Sequence, residues 1–208
     1  MKIIMVCTAN TCRSPMAEVL MRNALLTRKM SGYEVTSAGV FAMTGMPAMY
    51  EAIEVMDEYH LDLRYHRAKD FKDVYEPGSL VLCMTPTHLM EVKRMYPNAD
   101  AHLLTEYAML PGSVSDPFSL GITSYRRAAA DIDRAVNRIA DRLQAQSAAP
   151  QPTPKDTAPR GKPWGRNKDK PPFIIIQSKI NRGGKEINCG LAKILPLKAP
   201  SQRELARR

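Results

Sequence analysis

Cysteine is scarce in this chain, tryptophan is almost absent, and long apolar runs are missing. The four cysteines, Cys7, Cys12, Cys83 and Cys189, form no C-x-x-C pair and no disulfide-framework spacing. That excludes a small secreted module stapled by bridges. The four histidines, His60, His66, His88 and His102, lack metal-ligand spacing, so each is expected on the surface or in packing. No stretch of about 18 apolar residues occurs, which excludes a spanning helix and gives no reason to expect a membrane partner. Met1 and Lys2 lead directly into a short apolar stretch, without the long apolar segment of a signal peptide. A reducing, cytoplasmic location is the expectation.

The net charge of +9 over 208 residues hides two different materials. Residues 1–146 carry 16 Lys+Arg against 17 Asp+Glu, a net −1, whereas residues 147–208 carry 14 against 4, a net +10. Nine of the sixteen prolines fall in the second part, whose only aromatics are Trp164 and Phe173. The reading is a domain over 1–146 followed by a basic, Pro-rich, largely irregular extension over 147–208, too poor in apolar surface to fold alone and expected to be disordered. Within it Ser147–Pro159 reads as a linker, Phe173–Ile176 as a short strand and Ser201–Arg208 as a short helix. The charge of residues 155–208 suits a nucleic acid or an acidic partner. Two aromatics do not support base stacking. That leaves a polyanion-binding scaffold as the reading from another functional class.

Within the first part, apolar periodicity alternates between strand and helix. Ile3–Val6 is a buried strand, and Ala17, Leu20, Met21 and Ala24 mark one helical face. Tyr33–Ala38 reads as a strand ending at Gly39. Pro47 is expected to open a second helix with Ala48, Ala52, Val55, Met56 and Tyr59 inside. Ser79–Met84 reads as a strand, Pro86–Met95 as a helix and Ala101–Leu104 as a strand. A long last helix carries Tyr125, Ala129, Ile132, Val136, Ile139 and Leu143 in steps of four and three. Strands and helices alternating at crossover spacing imply a parallel sheet with helices on both faces.

The chemistry lies at the first strand-to-helix turn, where Cys7-Thr8-Ala9-Asn10-Thr11-Cys12-Arg13-Ser14 precedes Pro15. The amides of a first helical turn have no partner inside the helix, and they favour an anion there, either a phosphate or a thiolate. Cys7 then has the place of a nucleophile. Arg13 brings a planar fork of donors that fits two phosphoryl oxygens. Ser14 suits a helix cap or a hydroxyl donor to the Cys7 sulfur, and Pro15 suits the first helical position. Thiol, five spacers and arginine together point to phosphoryl transfer onto cysteine. Cys12, five residues on along a curled loop, is placed to resolve an oxidised Cys7 as a disulfide. Residue types then nominate Asp116, in Ser115-Asp116-Pro117-Phe118, as the proton donor for the leaving group and base for the following water. Pro117 stiffens that loop, and Phe118 is placed to wall the entrance.

These blocks, together with Ser37-Ala38-Gly39, resemble the low-molecular-weight protein tyrosine phosphatase family over about residues 1–146. The resemblance implies a four-stranded parallel sheet flanked by helices, a flavodoxin-like three-layer sandwich, in an enzyme with no metal or cofactor. It implies Cys7 as nucleophile, Arg13 as phosphate clamp and Asp116 as general acid and base, with residues Thr8, Ala9, Asn10, Thr11, Cys12, Arg13 and Ser14 lining the phosphate and Asn10 holding the loop's shape. Phosphorylated proteins are the implied substrates, and a monomer the implied state. Thr11, Phe41 and Phe118 are the residues bearing on specificity. Relatives acting on phosphotyrosine often carry a bulky aliphatic residue at the position of Thr11. The bacterial protein-arginine phosphatases of the family carry threonine, and the run Val40-Phe41-Ala42 after Gly39 also resembles that branch. Phosphoarginine is therefore favoured over phosphotyrosine. Arsenate reductases share the loop, but their relay needs a further cysteine a few residues beyond Cys83, and Thr85 to Met90 supply none.

Overall fold

The computed structural model describes residues 1–148. The sequence readings for the segment beyond, including Phe173–Ile176, Ser201–Arg208 and Cys189, lie outside the described residues. The first strand, β1 (Lys2–Cys7), sits in the middle of the sheet. It is followed by α1 (Arg13–Thr27), β2 (Glu34–Gly39), α2 (Tyr50–Glu58), α3 (Phe71–Val74), β3 (Leu80–Cys83), α4 (Pro86–Met95), β4 (Asp100–Leu103), α5 (Leu104–Tyr107) and α6 (Ile122–Ala148). The sheet has the order β2-β1-β3-β4, and every pairing is parallel. This is the four-stranded parallel α/β sandwich that the alternating pattern implies.

The central strand is apolar on both faces because both faces are covered. Ile3, Met5 and Cys7 belong to the core shared with α1, α2 and α6. Ile4 and Val6 belong to the opposite core, with Phe71 of α3 and Val92 of α4. Each fully buried Ile, Leu or Met contributes roughly 1.5–3 kcal/mol from its removal from water. The six residues named on the last helix, Tyr125 to Leu143, are all buried, as their spacing requires.

Two helix starts differ from the sequence reading. α1 begins at Arg13 rather than Pro15, because the end of the Cys7 loop is already helical, with the Met16 amide donating to the Cys12 carbonyl (3.3 Å). Cys12, not Ser14, takes the cap position, and its side chain makes no cap bond. α2 begins at Tyr50 rather than Pro47. Met49 stays extended and becomes its cap, since its amide is committed to the Thr11 carbonyl (2.9 Å). The four-residue helices α3 and α5 are too short to leave a periodic signature.

All four strands deliver their carboxyl ends to one edge of the sheet, where the Cys7 loop turns. Gly39, at the end of β2, lies against that loop. A methyl group there would overlap the Thr8 carbonyl oxygen and come within 2.9 Å of Ala9 C and Asn10 N. The backbone at Gly39 is not left-handed, so space alone demands glycine. Gly39→Ala is expected to destabilise by roughly 1–3 kcal/mol and to weaken inhibition by inorganic phosphate far more than a neutral surface substitution does. Chemical denaturation and phosphate inhibition measured on the same variant check both parts.

Candidate active site

The loop after β1 is defined by where its carbonyls go. Those of Cys7, Thr8, Thr11 and Cys12 accept from the amides of Val40 (3.0 Å), Phe41 (2.9 Å), Met49 (2.9 Å) and Met16 (3.3 Å). The Asn10 carbonyl pairs with His66 Nε2 at 2.8 Å. In a trans peptide the N–H lies opposite the C=O, so outward carbonyls turn the amides of residues 8, 9, 11, 12 and 13 inward. The amides of residues 8 to 14 have no acceptor among the described residues. A run of unpaired donors at a helix N-terminus is an arrangement that favours an anion.

Asn10 makes the curl. It has φ 56°, a left-handed conformation that asparagine tolerates better than most residues. Fully buried, it is also fully bonded. Its Nδ2 donates to Ser14 Oγ and Ser37 Oγ (both 2.9 Å), and its Oδ1 accepts the Lys69 amide (2.8 Å). Ser37 donates onward to Glu18 Oε2 (2.5 Å), whose other oxygen holds Arg22 (2.6 Å). Cys12 anchors the far side, with its sulfur 3.2 Å from the buried Tyr125 hydroxyl on α6. Burial pushes both the Cys12 thiol and the Tyr125 phenol up from their ordinary ranges, so both stay neutral.

Cys7 is buried at the end of β1 with its sulfur 3.0 Å from Ser14 Oγ. Arg13 is 5% exposed and Asp116 is 55% exposed in their side chains, and Arg13 Nη2 donates to Asp116 Oδ2 at 2.6 Å. Arg13 Nη1 donates to the Val114 carbonyl (3.3 Å), while its buried Nε finds no partner among the described residues. The loop bearing Asp116 is pinned to the sheet edge by the Val114 amide on the Met84 carbonyl (3.0 Å). Arg13 and Asp116, 103 positions apart, thus meet directly, and Cys7 ends the strand that leads into the loop carrying Arg13. Phe41 and Phe118 are exposed, each with its amide bonded into the site, Phe41 to the Thr8 carbonyl and Phe118 to Asp116 Oδ1 (3.2 Å). Thr11 is half-buried, its hydroxyl 3.7 Å from Cys12 Sγ.

Sequence reasoning passed over two histidines. His66 and His88 were expected to be surface or packing residues. Instead His66 braces the Asn10 carbonyl, and the buried His88 joins Thr8 Oγ1 (2.8 Å) to Thr85 Oγ1 (2.9 Å). The signal available for His88 was Thr85-Pro86-Thr87-His88, a helix start that places its fourth residue over the sheet edge. Cys83 is buried, and its thiol is pushed up to about 12 by desolvation, with the Lys93 charge acting against it, an environment that disfavours the thiolate. Among the described residues no group of three or more His, Cys, Asp or Glu is placed to hold a metal ion, and no helix is long and apolar enough to cross a membrane.

A parallel α/β sheet with a cysteine and an arginine framing an amide-lined cradle at its carboxyl edge is the architecture of a cysteine-dependent phosphatase. The model of the low molecular weight phosphotyrosine protein phosphatase family matches residues 2–149, and the chain belongs to that family. It is 33% identical over 148 residues to a protein-arginine-phosphatase from Geobacillus stearothermophilus, covering 70% of this chain and 97% of the relative. It is 32% identical over 144 residues to a probable low molecular weight protein-tyrosine-phosphatase, EpsP, from Ralstonia solanacearum, covering 69% and 96%. Among solved structures it resembles the YwlE arginine phosphatase in a cysteine-to-serine form with a phosphorylated active-site serine, with a TM-score of 0.65, 32% identity and coverage of 69% and 96%.

Burial lowers His88 from an ordinary 6.5 to about 4, helped by the Arg13 charge and opposed by Asp116. A histidine held neutral in the fold but free to protonate when unfolded costs stability in acid. Its contribution is complete above about pH 6.5 and is lost progressively as pH falls toward 4. Denaturation measured between pH 7 and 4 should therefore fall less steeply for His88→Gln than for the parent chain. Parallel profiles would contradict the assignment.

Proposed function

We propose that the chain hydrolyses phosphorylated protein side chains through a phosphocysteine at Cys7, and that phosphoarginine is the preferred substrate. The observation carrying the mechanism is the ring of unpaired amides from residue 8 to residue 14 around Cys7, with the unpartnered Arg13 Nε beside it. A phosphoryl group bound there has its equatorial oxygens on the amides and on the Arg13 guanidinium, donors that also fit a five-coordinate phosphorus. Cys7 attacks in line. Asp116 protonates the departing nitrogen or oxygen and then takes a proton from the water that cleaves the S–P bond. The Ser14 hydroxyl, 3.0 Å from Cys7 Sγ, stabilises the thiolate before attack and as it leaves. Arg13 Nη2 donates to Asp116 Oδ2, so phosphate binding exchanges a carboxylate oxygen for phosphoryl oxygens on the same guanidinium.

Specificity is assigned to Thr11, with Phe41 and Phe118 at the rim. A threonine leaves room for a planar guanidinium and brings a hydroxyl near the scissile nitrogen, where a branched aliphatic would favour an aromatic ring. The similarity to a protein-arginine-phosphatase over nearly the whole of that relative supports the same reading. The catalytic unit is assigned to about residues 1–146, acting as a monomer without metal in a reducing compartment such as the cytoplasm. The +10 segment beyond it is left outside the catalytic unit.

Turnover of phosphoarginine and phosphotyrosine peptides by the parent and by Thr11→Ile tests the substrate assignment. One such side chain shifts specificity by about 1–3 kcal/mol, so the ratio should move at least several-fold toward phosphotyrosine, and an unchanged ratio would remove Thr11 from the account. Cys7→Ser should abolish turnover of an aryl phosphate without added metal. Asp116→Asn should slow substrates with basic leaving groups more than activated aryl phosphates, since a good leaving group needs little protonation. Truncation after Ala148 should leave turnover intact.

A further inference from the structure

His88 lies on α4, outside the cradle loop, yet it is bonded to the residue directly after the nucleophile. It is 5% exposed, and its two ring nitrogens are both engaged, Nδ1 with Thr85 Oγ1 and Nε2 with Thr8 Oγ1. A neutral imidazole has one donor and one acceptor nitrogen. Thr85 Oγ1 already receives the His88 amide as helix cap (3.5 Å), and its own hydrogen has no acceptor among the described residues except Nδ1. In the tautomer where Nδ1 accepts that hydrogen, Nε2 carries the ring proton. Nε2–H then donates to Thr8 Oγ1, so the hydroxyl hydrogen of Thr8 is left without a protein partner, in a side chain that is exposed at the mouth of the loop.

We propose that His88 is a positioning residue of the phosphoryl transfer: anchored by Thr85, it fixes the Thr8 hydroxyl as one further donor to the anion held over Cys7. Thr85, His88 and Thr8 form a relay of orientation and not of protons. It joins the end of β3, through the cap of α4, to the residue beside the nucleophile. The proposal rests on the phosphatase reading of the cradle, and it adds a side-chain donor to the backbone donors already described.

The test uses the full chain, an aryl phosphate for turnover and inorganic phosphate for binding, the latter followed by calorimetry so that it is read without catalysis. His88→Ala and Thr8→Val are each expected to lower kcat/KM and phosphate affinity by about tenfold, the worth of one hydrogen bond to an anion. The double variant should be no worse than either single variant, because both remove the same donor. His88→Gln, whose amide can donate from the same place, should recover most of the loss. A double variant showing the product of the two losses would overturn the proposal, as would a His88→Ala protein with a lowered melting temperature but parental kcat/KM. Should His88→Ala fail to fold, Thr8→Val with unchanged phosphate affinity is enough to overturn it. A parent chain without turnover, with phosphate binding still weakened by His88→Ala, would fail the phosphatase reading while supporting the Thr8 hydroxyl as a donor to the anion.

Discussion

The amides of residues 8, 9, 11, 12 and 13 are turned inward together, and that is an unfavourable thing to build. Like-oriented N–H dipoles repel, and buried donors without partners cost free energy. The surroundings of the loop can be understood as what makes this arrangement persist. Five carbonyls are each tied outward, to Val40, Phe41, His66, Met49 and Met16, so the peptide planes cannot rotate back. Asn10 is locked in its left-handed conformation by three side-chain hydrogen bonds to partners on α1, on β2 and before α3. Gly39 lets β2 come close enough to supply part of that bracing.

The same constraint organises the charged groups. Arg13 is nearly buried but is held between a carbonyl and a half-exposed carboxylate, with Nε unpaired. A guanidinium so placed is pre-organised for a planar, two-oxygen ligand, and it needs little rearrangement to accept one. The fold sets this geometry from far away in sequence. Val114 docks on the end of β3 through Met84, which brings the Asp116 loop over the edge where the β1 loop turns. A doubly covered parallel sheet puts all its strand ends, and therefore all these loops, on one side.

Much of this was legible in the residues. The thiol, the arginine and the preceding strand named the cradle, and the spacing of Tyr125 to Leu143 gave the buried stripe of the last helix. α4 was bounded correctly because Thr85-Pro86 is a cap followed by a first-turn proline, a local signal. The start of α2 was not, because Met49 is held extended by a bond to Thr11, a tertiary contact that no local pattern announces. The bracing of the loop by His66 and His88 was missed for the same reason. Both histidines bond to atoms of the cradle loop. Bonds that reach across 56 and 80 residues belong to the fold and not to the motif.

The central claim is that the backbone of residues 8 to 14 is the anion site. Amide chemical shifts of the full-length protein, followed while inorganic phosphate is added, test it most directly. The account predicts that the amides of residues 8 to 14, together with the Arg13 side-chain Nε–H, shift together along one binding curve, and that Arg13→Ala weakens that curve. Phosphate that binds while these amides stay still, or that shifts another part of the surface instead, would contradict it.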